Sequence, residues 1–181
     1  MLKKPSKGFT LIEVIVVIVI LSIVSAITIY FLVSSLQVYT KMVNQKTLFD
    51  EGKLALERMC RDIRDAKSIT APAAGGSGST ITFLRGNLTA QDVADESITF
   101  QLTGSNLQKV KASPSTTSIL AENVSAFTVT RDTSNEIKLQ LTLSLGTGEN
   151  VTLQTKVYPK NLADSAIYKN FFNNWSEEIS S

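Results

Sequence analysis

The sequence predicts an α+β protein in which one long N-terminal helix packs on an antiparallel β-sheet. Three observations support this prediction. Residues 14–33 contain no charged residue, glycine or proline. Apolar residues then recur at helical spacing to about residue 66, and beyond about residue 80 apolar and polar residues alternate. Because the helix and the sheet each have one apolar face, the two faces are expected to cover each other.

The apolar run of residues 14–33 is long enough to cross a membrane. At a rise of about 1.5 Å per residue, roughly 20 helical residues span a hydrocarbon layer about 30 Å thick. Lys3, Lys4 and Lys7 precede this run, whereas no charged residue follows it before Lys41. The positive-inside rule therefore places the N-terminus in the cytoplasm and the remainder of the chain outside. A cleaved secretory signal fits less well, because its apolar core would be only about 7–15 residues long.

Glu13 lies at the start of the apolar segment, where an ionised carboxylate costs roughly 2.5–3.5 kcal/mol unless it is paired. No Lys or Arg lies within one helical turn on its C-terminal side. We therefore expect a partner from another molecule, and a free α-amino group of a neighbouring chain at the same depth would serve. Such an amine requires removal of the basic leader. A simple signal anchor is the alternative, but it leaves Glu13 unexplained.

The residues around Glu13 resemble a known signal. Gly8-Phe9-Thr10-Leu11-Ile12-Glu13, between a short basic leader and a long apolar run, is similar to the signal of type IV pilins and of the pseudopilins of type II secretion systems. The resemblance implies that a prepilin peptidase cuts between Gly8 and Phe9 and methylates the new amino group of Phe9. It also implies that Glu13 pairs with the N-terminus of a neighbouring subunit during filament assembly.

Domain boundaries follow from these assignments. Residues 1–8 are expected to be a leader that is removed, residues 9–33 a transmembrane helix that becomes the filament core, and residues 34–181 an extracytoplasmic, pilin-like domain. Within that domain we expect the helix to continue to about residue 66, followed by a loop over residues 70–79, a sheet over residues 80–158 and a tail over residues 159–181.

The second part of the helix carries an apolar stripe at i, i+3, i+4, i+7 spacing. The predicted stripe consists of Met42, Phe49, Leu56, Met59, Cys60 and Ile63. Gly52 interrupts the pattern and costs about 1 kcal/mol relative to Ala in a helix interior, so it permits either close packing on the sheet or a bend. Cys60 is expected to be an unreactive core thiol, because free cysteines on apolar stripes are usually buried.

Alternation of apolar and polar residues predicts a series of short strands separated by turns. These strands are expected near residues 81–83, 98–102, 107–111, 124–131, 137–145 and 151–157. The clearest is the run 137–145, in which every second residue is Ile or Leu. Such alternation is typical of a sheet that is buried on one side, and the helical stripe is the available cover.

The C-terminal tail is rich in aromatic residues. Ile167, Phe171 and Trp175 are spaced by four, and Asp164 is a suitable helix cap. This stripe either packs on its own domain or forms an exposed partner interface, since aromatic residues are enriched in the centres of interfaces. The sequence leaves both possibilities open.

Composition argues against several classes of function. The chain has no His, which removes the commonest general base and metal ligand, so we expect neither an enzyme nor a cofactor. Removal of the leader with its three lysines changes the formal net charge from +2 to −1, and no nucleic acid partner is expected. Asp92, Asp95 and Glu96 form an acidic loop without EF-hand spacing, so a Ca²⁺ site remains an open alternative to a solvated loop.

Cys60 is the only cysteine, so an intramolecular disulfide is impossible. Many major pilins close a C-terminal loop with a disulfide, and the resemblance therefore favours a minor component. Residues 55–66, the strand series and Val-Tyr-Pro-Lys-Asn-Leu at 157–162 resemble the J-type minor pseudopilins and related minor pilins. This resemblance implies a role in the priming or tip complex of a filament, bound to other pilin or pseudopilin subunits.

The expected function is thus a minor pilin or pseudopilin, made as a precursor in the cytoplasmic membrane and assembled into a periplasmic or extracellular filament. The alternative is an uncleaved, membrane-anchored binding module or adhesin. An anchored enzyme would need a cleft with converging polar groups. The sequence does not distinguish secretion, adhesion, motility and DNA uptake.

Overall fold

The computed structural model describes residues 8–86, 95–112 and 114–162. It contains one helix, α1, followed by nine strands, and the chain divides into two compact units, Met1–Val43 and Asn44–Ser181. The elements are α1 Leu11–Arg64, β1 Ala66–Ala71, β2 Ser77–Gly78, β3 Thr80–Arg85, β4 Ser97–Thr103, β5 Asn106–Ala112, β6 Ser115–Ala121, β7 Val124–Arg131, β8 Ile137–Ser144 and β9 Asn150–Val157.

In the first unit, α1 exposes every side chain from Leu11 to Val33. By length and composition this helix can cross a membrane, and its most apolar stretch is not buried in the structure. Two hydroxyl groups of the apolar run are bonded within the helix. Ser22 Oγ donates to the carbonyl oxygen of Ile18 at 2.7 Å, and Thr28 Oγ1 donates to that of Val24 at 2.8 Å. The hydroxyl groups of these two residues therefore need no hydrogen-bond acceptor outside the helix.

The second unit contains two antiparallel sheets. The first has the strand order β1-β3-β4-β5-β6 and the second the order β2-β7-β8-β9. Strand β7 contacts β3, β4 and β5, so the two sheets share one core. Within it, the rings of Phe83 and Phe100 lie 5.7 Å apart between centroids. The predicted α+β class, with a long N-terminal helix packed on antiparallel sheet, is confirmed.

Strand β8 forms the centre of the second sheet, and its alternation is as predicted. Its apolar residues are all fully buried: Ile137, Leu139, Leu141 and Leu143. The polar residues between them are only partly buried because they lie on the opposite face. Leu145 follows the end of the strand and is partly buried against the core.

The helical face that covers the sheets differs in part from the prediction. Leu56, Met59 and Ile63 are buried, as expected, and Cys60 packs partly against the core. The N-terminal extension of the face is formed by Leu48, Gly52 and Ala55. The predicted extension through Phe49 and Met42 is wrong, since Phe49 is 46% exposed and Met42 is 63% exposed. Leu48 keeps the four-residue spacing to Gly52 that a buried face requires.

The end of the helix and the start of the sheet also differ from the prediction. α1 ends at Arg64, and β1 begins at Ala66, where the sequence predicted the last helical turn and then a loop over residues 70–79. Ala66–Ala71 carries little periodicity of its own. It becomes a strand because it pairs with β3, where Ile69 lies opposite Phe83, and such tertiary pairing outweighs local preference. Strands β2 and β6 were likewise not predicted.

Charged residues near the end of α1 form ion pairs with residues of the first sheet. Asp62 Oδ2 accepts a hydrogen bond from Lys109 Nζ at 2.8 Å, and its Oδ1 lies 3.3 Å from Arg85 Nη1. Arg85 Nε lies 3.3 Å from Asp65 Oδ2. These side chains are at most 19% exposed. The cluster therefore joins the end of α1 to β3 and β5 through largely desolvated contacts.

After β9 the chain returns to the end of α1. The backbone N–H of Lys160 donates to the carbonyl oxygen of Arg64 at 2.9 Å. Asn161 Nδ2 donates to Asp65 Oδ1 at 3.1 Å, and Leu162 is buried. The described part of the chain therefore ends beside the C-terminus of the helix.

Candidate processing and assembly site

The site predicted from residues 8–13 lies at the start of α1. The helix begins at Leu11, and Gly8, Phe9 and Thr10 precede it outside any regular element. The prediction that the helix begins at Phe9 is therefore wrong by two residues. The physical reason is Thr10, which caps the helix.

Thr10 occupies the N-cap position. The backbone N–H of Glu13 donates to Thr10 Oγ1 at 3.3 Å, and the N–H of Val14 donates to the carbonyl oxygen of Thr10 at 3.3 Å. This places Glu13 at the third helical position, and Thr-x-x-Glu is the sequence pattern of a capping box. The pattern was present in the sequence and would have located the first helical residue.

Gly8 is not required by the local fold. A Cβ atom built on Gly8 would meet no atom within 4 Å, and the residue does not have a positive φ angle. Glycine is usually needed where the backbone is left-handed or closely approached, and neither condition holds here. The bond between Gly8 and Phe9 thus lies in an exposed, non-helical segment.

Phe9 and the apolar side chains that follow it have no cover within the first unit. Phe9 is 82% exposed and Leu11 80%. From Val14 to Val33 every large apolar side chain is at least 45% exposed. A surface of this size is far beyond what a soluble monomer exposes, and it requires lipid or other helices.

Glu13 is exposed beside this apolar surface. Among the described residues no Lys or Arg forms an ion pair with it. A carboxylate in the first turn interacts favourably with the helix dipole, but that interaction does not replace a counter-charge in a membrane.

The other candidate residues fall into two groups. Ile167, Phe171, Trp175 and Asp92 lie outside the described residues. Asp95 forms an ion pair with Lys67 at 2.8 Å, whereas Glu96 is 4% exposed and its two carboxylate oxygens have no hydrogen-bond partner among the described residues. Within that part of the chain, no three His, Cys, Asp or Glu side chains are grouped so that they could hold a metal ion.

Cys60 is partly buried on the helix face. Its thiol lies 3.9 Å from Thr155 Oγ1 of β9. Burial raises the pKa of the Cys60 thiol above its ordinary value, and this effect outweighs the opposite influence of Thr155 and Arg64. Such a thiol is mostly protonated at neutral pH and therefore a poor nucleophile.

Comparison with known proteins identifies the N-terminal segment. Residues 3–29 match the family model of the prokaryotic N-terminal methylation motif. No curated protein and no solved structure matches the chain significantly. The match includes Gly8, Phe9 and Glu13 and most of the apolar run of residues 14–33. The chain therefore carries the N-terminal methylation signal of type IV pilin-like precursors, which implies processing by a prepilin peptidase and assembly with other pilin-like subunits.

Proposed function

We propose that this protein is a minor pilin or pseudopilin, a structural subunit of a type IV pilus-like filament or of a type II secretion pseudopilus. The observation that carries the proposal is the methylation motif at residues 3–29, joined to a helix whose apolar surface is fully exposed. Lipid would cover that surface in the precursor, and neighbouring helices would cover it in the filament.

Processing is proposed to occur between Gly8 and Phe9, with methylation of Phe9. The absence of any packing or backbone reason for glycine at position 8 supports a requirement imposed by another molecule, and a peptidase that must approach the backbone closely is such a molecule. The N-cap at Thr10 leaves two residues between the scissile bond and the helix, so the bond is accessible without unwinding α1.

Glu13 is proposed to pair with the methylated amine of a neighbouring subunit. An unpaired carboxylate in hydrocarbon costs roughly 2.5–3.5 kcal/mol, so pairing favours one axial position of the incoming helix. Packing of the apolar helices supplies the bulk of the affinity, and the ion pair selects the register.

A minor role, in the priming or tip complex, is the finer part of the proposal. It is supported by the single cysteine, which excludes the disulfide-closed loop of many major pilins. The precursor would lie in the cytoplasmic membrane with its N-terminus in the cytoplasm, because the three leader lysines precede the apolar run.

The processing step is tested by mass spectrometry of the protein recovered from bacterial membranes that contain a prepilin peptidase. We expect a chain that begins at Phe9 and carries one methyl group. Gly8→Val is expected to block cleavage and leave the fold of residues 44–162 unchanged. Recovery of the wild-type chain with Met1 or Lys3 still present would overturn the proposal and favour an uncleaved, anchored binding module.

The role of Glu13 is tested with two substitutions that separate capping from charge. Glu13→Gln retains a side chain that suits a capping box but removes the charge, whereas Glu13→Asp retains the charge. We expect both variants to be cleaved, and we expect Glu13→Gln to be poorly incorporated into sheared filaments or pseudopili. Normal incorporation of Glu13→Gln would contradict the ion pair.

A further inference from the structure

A groove of about 400 Å³ runs along the second unit between α1 and the edge strand β9. Its apolar lining is formed by Phe49, Leu56 and Cys60 of the helix and Leu153 of the strand. Phe49 is 46% exposed, so the groove offers a large aromatic side chain that the described residues leave uncovered.

The described chain ends near one end of this groove. Arg64 lines the groove, and its carbonyl oxygen accepts the hydrogen bond from the backbone of Lys160. Only two residues later, at Leu162, the description ends. Residues 163–181 therefore start within a few residues' reach of the groove.

The length of this segment fits the groove. From Arg64 to Phe49, α1 extends about 22 Å, and a helix from Asp164 to Trp175 would extend about 17 Å. The two lengths are comparable. Because the tail starts beside Arg64, at the C-terminus of α1, the second helix would run antiparallel to the first. With Asp164 level with Arg64, residues 167, 171 and 175 would lie level with residues 61, 57 and 53. The stripe would thus pass Cys60 and Leu56 and end about 6 Å short of Phe49 along the helix axis.

The charges are complementary as well. The groove is lined by three cations, Lys53, Arg64 and Lys156, and by one acid, Glu57. Lys53 pairs with Glu57 at 3.9 Å and Lys156 with Glu136 at 2.8 Å, whereas Arg64 forms no ion pair within the described part of the chain.

Residues 163–181 contain three acids and one lysine, namely Asp164, Lys169, Glu177 and Glu178. Asp164 would enter the groove beside Arg64, and the two glutamates would lie about one helical turn beyond the level of Lys53. We propose that residues 163–181 fold back as an amphipathic helix and occupy the groove between α1 and β9, with Ile167, Phe171 and Trp175 facing its floor. This proposal does not depend on the proposed function.

The chain has one cysteine and one tryptophan, so both partners of the proposed contact can be observed without labels at other sites. The rate at which Cys60 reacts with an aromatic disulfide reagent is measured at one pH in the full chain, solubilised in detergent, and in the same chain ending at Leu162. If the tail is docked about nine-tenths of the time, the full chain reacts roughly tenfold more slowly.

Point variants test the contact without removing the tail. Phe171→Ala with Trp175→Ala is expected to raise the Cys60 rate to that of the shortened chain, whereas Asn173→Ala, which lies off the stripe, leaves the rate unchanged. On the groove side, Phe49→Ser is expected to shift the Trp175 emission to longer wavelength. Leu54→Ser is the matched control because Leu54 is 47% exposed on the same helix and does not line the groove.

Equal Cys60 rates in the full and shortened chains would overturn the proposal, as would a Trp175 emission typical of water in the wild-type chain. Protection that develops only after another subunit is added would also overturn it, because the groove would then belong to a partner. If circular dichroism shows that the shortened chain is unfolded, the point variants alone decide between these outcomes.

Discussion

Gly52 lies where the helix packs closely on the sheet. A Cβ atom at this position would lie 2.7 Å from Leu143 Cδ1 and 2.8 Å from Leu153 Cδ1. Both distances are shorter than carbon atoms tolerate, so the glycine serves close packing of α1 on β8 and β9. Of the two interpretations that the sequence left open, the structure thus supports close packing.

We expect Gly52→Ala to destabilise the second unit by roughly 1 kcal/mol. Overpacking costs typically 1–3 kcal/mol, while the gain in helix propensity is about 1 kcal/mol. Urea unfolding of residues 34–181 measures the difference. Leu153→Ala removes one of the two clashing methyl groups, so Gly52→Ala should cost less in that background. A gain in stability on Gly52→Ala alone would show that the leucines move freely.

Glu136 provides a pH-dependent contact at the start of β8. The Lys156 ammonium group, 2.8 Å away, is the main cause that holds the pKa of Glu136 below its ordinary value, and the Tyr158 hydroxyl adds to it. A carboxyl group whose pKa is lowered by folding stabilises the folded state above its unfolded pKa. This contribution is lost as the pH falls through the lower, folded value.

The expected result is that Glu136→Gln lowers the urea midpoint at neutral pH and that the difference from wild type shrinks as the pH falls below about 4. Glu57→Gln is the matched control, because the partner of Glu57 is 3.9 Å away and both side chains are more than half exposed. A wild-type advantage that persists undiminished at about pH 2 would contradict the assignment.

Among the elements, the joint between the end of α1 and the first sheet depends on Asp62. Its carboxylate contacts Lys109 at 2.8 Å and Arg85 at 3.3 Å, and the three side chains are 14% exposed or less. Removal of one partner from a buried pair costs about 3–5 kcal/mol, whereas exposed pairs are worth about 0–1 kcal/mol. The pair is therefore a structural contact of the folded domain.

For Asp62→Asn we expect a loss of about 2–3 kcal/mol, less than for complete removal because the amide oxygen remains an acceptor and Arg85 also contacts Asp65. Asp50→Asn, the same substitution at an exposed position of α1, should change the free energy of unfolding by less than about 0.5 kcal/mol. Similar effects of the two substitutions in urea titrations would contradict the buried character of the cluster.

Sequence patterns predicted some of these elements and not others. In β7 the buried residues alternate only from Phe127 onward, because the register shifts between Val124 and Ala126. Strand β8 could be located from alternation alone, because every second residue is buried. Strand β1 could not, since Ala66–Ala71 is a strand only through its pairing with β3. Phe49 and Met42 were misplaced because an apolar residue at nearly the right helical angle is indistinguishable, in sequence, from one that faces a groove or solvent.

At the candidate site, Gly8, Phe9 and Glu13 were predicted from their resemblance to the pilin signal, and the methylation motif covers the same residues. The helix begins two residues later than predicted because Thr10 caps it. The cluster around Asp62 has a different origin: its members are far apart in sequence and meet only when the helix and the first sheet are assembled.

On the scale of the whole molecule, the division at Val43 and Asn44 predicts independent behaviour of the two units. Chains of residues 34–181 and 44–181 are expected to be soluble without detergent and to unfold in urea with free energies that agree within about 0.5 kcal/mol. A chain that begins at residue 57 lacks Leu48, Gly52, Ala55 and Leu56 of the covering face, and it should not fold.

Detergent phase partitioning and urea unfolding together check this prediction. The full chain should enter the detergent phase, whereas residues 44–181 should remain in the aqueous phase. If residues 44–181 were unfolded while residues 34–181 were folded, residues 34–43 of α1 would have to be counted as part of the domain.

The hydroxyl groups of Ser22 and Thr28, each bonded to a carbonyl oxygen one turn earlier, have a consequence for extraction from the bilayer. A subunit that moved from the lipid into a bundle of neighbouring helices would pass from one environment without water to another. Since these two groups already have acceptors on their own backbone, neither has to find a new one during the move. For these two residues the transfer therefore adds no unpaired hydroxyl group.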